Sequence, residues 1–211
     1  VHSGFMPWGE ASQRRLAGEL DAPLAEGEWE VNSESRHLTV LFGDAAGAMV
    51  LSASVDGKRG VMSTHLHTDG SVADILWIRG GGTLHPLSQE TLDKKLHKVQ
   101  MNGREVFKFA VRALTESVKE ALEHNGITAD HVVHVIAHQA NTRILDAVLE
   151  RLGIAKEKAW LNIEKYGNTS AASLPMTLDE ANRAGRLKEG DLIVMMAIGS
   201  GMSWGSALVR W

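Results

Sequence analysis

Hydrophobic and polar positions follow different rhythms on the two sides of Asn102. Beyond it, Phe107, Ala110, Val111, Leu114, Val118, Ala121 and Leu122 recur at steps of three and four. That spacing puts them on one face of a long helix, and Gly126 stands where a helix-ending residue belongs. VVHVIAH then reads as a buried strand. Asn141 can cap a helix running to about Leu152, Gly153 ends it, and AWLNI reads as the next strand. A third helix is expected from about Ser170 to Ala184. After it come GDLIVMMAIG, a strand with almost no polar face, and a closing strand, SWGSALVRW. Strands that are apolar along their length and joined by helices require a sheet covered on both faces, here with SWGSALVRW antiparallel at its side.

Before Asn102 the texture is different. HLTVLFGD, GAMVLSAS and GVMSTHLH are short β-rich runs separated by Gly and Asp turn signals, and they read as two or three adjacent strands. The stretch from Pro7 to about Arg36 mixes Glu, Ser, Gly and Arg with scattered Trp8, Leu16, Leu20, Leu24 and Trp29. It supports only a short helix around Ser12 to Leu20 and reads as a surface excursion. From about Thr68 to Met101 few apolar positions are periodic, which suggests a long loop or lid with a short helix near Ser88 to Lys98. The element order is βββ, then αβαβαββ, in the α/β class.

Composition narrows the function classes. Among 211 residues, 44% are apolar, which is ordinary for a globular chain and excludes a disordered tail. Lys and Arg number 22 against 26 Asp and Glu, a net −4, without the basic excess that a phosphate-neutralising surface needs. Nucleic acid is therefore not expected as a partner. With no cysteine, the chain can supply neither a disulfide framework, nor a thiolate metal site, nor a thiol nucleophile. No apolar run approaches the roughly 18 to 20 residues of a membrane span, and the opening VHSGFMPWGE has no signal-peptide pattern. The expectation is a cytoplasmic protein without a membrane partner. The chain begins with Val1 rather than Met, and that residue is not taken as the protein's true start.

Three strand exits carry candidate chemistry. HQANTR, His138 to Arg143, lies at the carboxyl end of a buried strand just before a helix, where open α/β sheets tend to place their sites. YGNTSAAS, Tyr166 to Ser173, repeats that situation, with Asn168 meeting a helix start. GSGMSWG, Gly199 to Gly205, is the third exit. Each has an ordinary structural reading: a core histidine, a helix cap, a hairpin turn. Together they gather an imidazole, a carboxamide and a glycine-flanked backbone amide, a set of donors suited to an oxyanion. FGDAAGA, Phe42 to Ala48, reads as a strand-to-strand turn rather than a phosphate loop, because no Lys or helix signal follows it. THLHTDG would aim His65, His67 and Asp69 to one face of a strand, but no further ligand stands at a recognisable spacing, and no metal is expected. Trp160 and Trp204 read as packing residues.

FGDAAGAMVL, STHLHTDG, HQANTRI, YGNTSAASLPMTLDEA and GSGMSWGSALVRW, in that order, resemble the carboxyl-terminal two-thirds of a 3-oxoacyl-acyl-carrier-protein synthase III, over about Arg36 to Trp211. The resemblance implies a thiolase-like fold of two similar halves in αβαβα layers, normally a homodimer, with the first half incomplete in this chain. Residues 1–67 would end the first half, with a surface insertion at about 7–36, residues 68–102 would connect, and 103–211 would form the second half. Such enzymes condense an acyl group, moved from acyl-CoA to an active-site Cys, with malonyl-acyl carrier protein, and release carbon dioxide.

By that resemblance His138 and Asn168 bind the malonyl thioester carbonyl and stabilise the enolate, and the Ser200 amide shares the oxyanion of acyl transfer. Arg143 helps dock the carrier protein at the pantetheine entrance. No cofactor is implied. The Cys would come from a segment in cis or in trans, and this chain alone is not expected to be a stable monomer. Ile198 stands where housekeeping enzymes often have Phe, and Ala45 where Gly is usual. The alternatives are a non-catalytic partner subunit of the same fold, or a relative that uses longer acyl-CoA or a secondary-metabolite acceptor.

Overall fold

In the computed structural model the described residues are 40–55 and 57–211, with the single positions 14, 18, 19, 21 and 38. Apart from such single positions, the expected excursion at about 7–36 and its short helix lie outside them.

A four-stranded mixed sheet organises the chain. Its strands are β1 (Gly60–Thr68), β4 (His134–Ala137), β5 (Leu192–Gly199) and β6 (Ser203–Arg210), in the order β1-β6-β5-β4. β4 and β5 are parallel, while β6 runs antiparallel to both β5 and β1. A second, two-stranded sheet pairs β2 (Leu76–Ile78) with β3 (Val99–Met101). The helices are α1 (Gln89–Asp93), α2 (Gly103–His124), α3 (Thr142–Leu152), α4 (Ile163–Tyr166) and α5 (Ser173–Arg183).

Strand alternation explains how the sheet is covered. Val135, Ala137, Leu192, Val194, Met196 and Leu208 turn to one face and pack with Val111, Leu114 and Val118 of α2 and Leu145, Val148 and Leu149 of α3. Ile136, Ile193 and Val209 turn to the other and meet Leu174, Leu178 and Ala181 of α5. Expected helix ends recur in the structure: Gly126 adopts φ 62° just past α2, the Asn141 side chain caps α3, and Gly153 closes it at φ 68°.

Three expectations differ from what is observed. HLTVLFGD and GAMVLSAS hold no strand among the described residues. Phe42 makes one isolated parallel bridge to Asn168, and Met49, Val50 and Leu51 are exposed, so no neighbouring backbone supports a ladder there. AWLNI is likewise a single bridge, Ala159 to Val135, followed by the short α4. Finally, SWGSALVRW does not lie at the side of the sheet, because GVMSTHLH flanks it. As β1, GVMSTHLH pairs along β6, so β6 is an interior strand.

Among the described residues no helix is long and apolar enough to cross a membrane.

Candidate active site

The strand exits named by the sequence converge on one cavity of about 990 Å³, whose lining includes His138, Arg143, Asn168, Ile198 and Ser200. Convergence follows from topology. β4 and β5 are parallel, so His138 and Ser200 leave the sheet at the same end, and the Asn168 loop is tied nearby.

His138 continues β4 by one residue, its amide donating to the Met196 carbonyl at 2.8 Å. Its Nδ1 lies 2.6 Å from the Ser173 hydroxyl, which in turn lies 2.8 Å from the Ser170 carbonyl. Nε2 has no hydrogen-bond partner among the described residues and is the ring atom left for the cavity. Burial pushes the imidazole pKa down to about 4, a shift only partly opposed by the Ser170 backbone. At neutral pH the ring therefore carries one N–H and no charge.

Asn168 is held by backbone and side chain together. Its amide donates to the Leu41 carbonyl at 2.7 Å, and its carbonyl accepts from the Gly43 amide at 2.9 Å. Its Oδ1 accepts from the Ser170 amide at 2.9 Å, which fixes the carboxamide orientation and leaves the Nδ2 hydrogens as donors. Ser170 makes this possible by adopting φ 52°, a left-handed conformation uncommon outside glycine. Sequence patterning gave no sign of that role, since Ser170 reads as one more small residue at a helix start.

Ser200 sits in the turn between β5 and β6, and its hydroxyl donates to the Leu76 carbonyl at 2.6 Å. The contact ties the turn to β2, and β2 and β3 form an apolar wall through Leu76, Trp77, Ile78, Val99 and Met101. Within the loop or lid expected over residues 68–102, the short helix foreseen near Ser88 to Lys98 is present as α1, and this two-stranded wall is added to it. Its strands are three residues each, too short for a periodicity signal. Arg143 is exposed near the start of α3, and with Arg104 it adds positive charge to a largely apolar lining, which Lys108, paired with Glu105 at 2.9 Å, also borders.

THLHTDG is resolved differently. His65 and His67 do share a face of β1, but both approach one carboxylate, Glu120, at 3.2 and 2.7 Å, while Asp69 caps a 3-10 turn through Ser71. Among the described residues no group of three or more His, Cys, Asp or Glu is placed to hold a metal ion. Trp204 packs edge-on against Phe109 and stacks on His67, as a packing residue should.

Comparisons with known proteins agree with this layout. A family model described as 3-oxoacyl-[acyl-carrier-protein] synthase III C terminal matches residues 122–211, and one described as 3-oxoacyl-[acyl-carrier-protein] synthase III matches residues 29–70. The beta-ketoacyl-[acyl-carrier-protein] synthase III of Desulfitobacterium hafniense is 49% identical over 181 residues, covering 86% of this chain and 54% of that protein. Its counterpart in Caldanaerobacter subterraneus is 43% identical over the same shares. Among solved structures, the synthase III of Aquifex aeolicus superimposes with a TM-score of 0.74 at 44% identity, over 83% of this chain and 52% of that one. The Thermus thermophilus enzyme gives 0.69 at 36% identity, over 83% and 53%. The chain thus spans about half the length of the curated relatives it matches.

Proposed function

Because the chain belongs to the 3-oxoacyl-[acyl-carrier-protein] synthase III family and has its thiolase-like α/β fold, we propose that it forms the decarboxylating half of an acyltransferase active site. The reaction is the condensation of acyl-CoA with malonyl-acyl carrier protein to 3-oxoacyl-acyl carrier protein. One observation carries this reading: two uncharged polar groups, His138 Nε2 and Asn168 Nδ2, are left free toward one largely apolar cavity because Ser173 and the Ser170 amide occupy their other polar atoms.

The chemistry divides in two. An upstream Cys thiolate, absent from this cysteine-free chain, takes the acyl group from acyl-CoA and releases the CoA thiol. The Ser200 amide shares the negative oxygen of that tetrahedral intermediate. Malonyl thioester then loses carbon dioxide, and the electron pair left behind forms an enolate whose oxygen accepts from His138 and Asn168. The enolate carbon attacks the acyl-Cys carbonyl, the Cys thiolate leaves, and the new carbon–carbon bond remains on the carrier.

His138 must hold its single proton on Nε2 for this role, so the Ser173 hydroxyl, which donates to the Ser170 carbonyl at 2.8 Å in the structure, must turn its one hydrogen to Nδ1 instead. Each such donor is typically worth about 3 kcal/mol in the transition state, because apolar walls leave no water to compete. Arg143, with Arg104 and Lys108 beside it, suits an acidic carrier protein at the cavity mouth. Exposure of Val50 at 97%, Leu51 at 83% and Leu66 at 80% supports a further segment covering these residues. By family likeness the completed unit is a cytoplasmic homodimer.

The test is the intact polypeptide. With acyl-CoA alone, a chain extended by its upstream sequence should gain one acyl mass on a cysteine preceding Val1. An extended chain that stays unacylated yet condenses both substrates would overturn the division of labour.

A further inference from the structure

We propose that Gln139 is a positioning residue that fixes the separation of His138 and Asn168, by fastening the loop that leads to the carboxamide onto the strand end that carries the imidazole. The inference rests on the functional reading above and names the part of the scaffold on which that pair depends.

Gln139 is 0% exposed and follows His138 directly. Its carboxamide is fully used. Nε2 donates to the Ala137 carbonyl at 3.1 Å and the Trp160 carbonyl at 3.2 Å, and Oε1 accepts from the Asn162 amide at 3.1 Å and the Ile163 amide at 3.2 Å. Three of those four partners are main-chain groups of AWLNI, the segment whose pattern predicts a strand and which makes only the Ala159–Val135 bridge and the adjoining Trp160–Val135 bond to β4. Where the ladder stops, one planar side chain supplies the hydrogen bonds a neighbouring strand would have made. Left unmade in a buried place, each would leave a desolvated polar group without a partner.

The fastening extends to both functional groups. Asn162 donates through Nδ2 to Glu180 Oε2 at 2.6 Å and accepts from Thr177 Oγ1 at 3.3 Å, and Tyr166 donates to Glu180 Oε1 at 2.8 Å. Glu180 and Thr177 stand on α5, whose first residue, Ser173, touches His138. From Tyr166 the chain passes through Gly167, whose amide donates to the Ile163 carbonyl at 2.7 Å, to Asn168. Burial pushes the Glu180 carboxyl up, but donors on Asn162, Tyr166, Trp160 and Lys165 outweigh it and keep its pKa below the ordinary value. The circuit from His138 through Gln139, Asn162 and Tyr166 to Asn168 is closed. Only a carboxamide offers two N–H groups and two acceptor sites at that reach.

The experiment uses the complete enzyme, including its Cys-bearing half, and follows Cys acylation and malonyl decarboxylation separately in Gln139→Met. Because displacements of about 1 Å can cost about 100-fold in rate, the decarboxylation kcat should fall by that order while acylation and the KM for malonyl-carrier protein stay close to wild type. Adding Gln139→Met to Asn168→Ala should slow the reaction no further. Should Gln139→Met not fold, Gln139→Glu serves instead. Its protonated acid keeps one donor and one acceptor, so decarboxylation should recover as pH falls, unlike wild type. A wild-type kcat in Gln139→Met, equal loss in both half-reactions, or a wild-type pH profile in Gln139→Glu would each overturn the proposal. Parallel His138→Ala and Asn168→Ala variants separate the failures: if they too decarboxylate normally, the functional reading falls as well.

Discussion

An imidazole that lines an apolar cavity loses most of its hydration, and His138 is held neutral for that reason, its pKa pushed from 6.5 down to about 4. The sign of the resulting pH dependence follows from linkage. Between 6.5 and about 4 the unfolded chain binds a proton that the folded site refuses, so this group makes folding less favourable as pH falls through that window and has no such effect above it. Ring signals of His138 in an NMR titration of the complete enzyme should show no protonation step near 6.5 and one near 4. A midpoint near 6.5 would mean that the imidazole is hydrated and not held neutral by burial. His138 and Asn168 were both singled out in the sequence, the one as a polar residue at the exit of an apolar strand and the other beside a Gly turn at a helix start, and the family resemblance joined them as a pair. Gln139 and Ser170 were not: a buried, satisfied Gln and a Ser at φ 52° have no pattern of their own, since their roles lie in contacts that only the folded chain creates.

At the scale of elements, helices were more legible than strands. α2 and α3 carry their own periodicity and end signals, and both appear close to the expected bounds. Strand identity depends on what lies alongside, so AWLNI, apolar enough to be a strand, is taken over by a side chain instead. The Asn168 loop and the segment Leu41–Gly43 show how tight such a junction can be. A Cβ on Gly43 would sit 1.8 Å from the Tyr166 carbonyl oxygen, a backbone atom with little room to yield. Gly43→Ala should therefore displace the strap on Asn168 and destabilise the complete enzyme by about 1–3 kcal/mol in urea titration. Gly70→Ala, with nothing within 4 Å, is the control expected to stay within about 0.5 kcal/mol. Equal midpoints for the two variants would show that Leu41–Gly43 does not brace the loop.

At the scale of the whole molecule, the sheet order β1-β6-β5-β4 brings residues from both ends of the described chain into one layer. The pairing of β1 with β6 spans most of the described sequence, and such long-range pairing leaves no local mark. That layer then presents His138, Asn168 and Ser200 at one cavity without a nucleophile of its own. The proposal at the centre of this reading is that His138 and Asn168 serve the second half-reaction and not the first. The most direct measurement is release of labelled carbon dioxide from malonyl-carrier protein by the complete enzyme, beside the mass of its acyl-Cys, in His138→Ala and Asn168→Ala. Loss of about 100-fold or more in carbon dioxide release, with acyl-Cys formed at close to the normal rate, is the predicted result. Normal release in either variant, or acylation lost in step with it in both, would contradict the account.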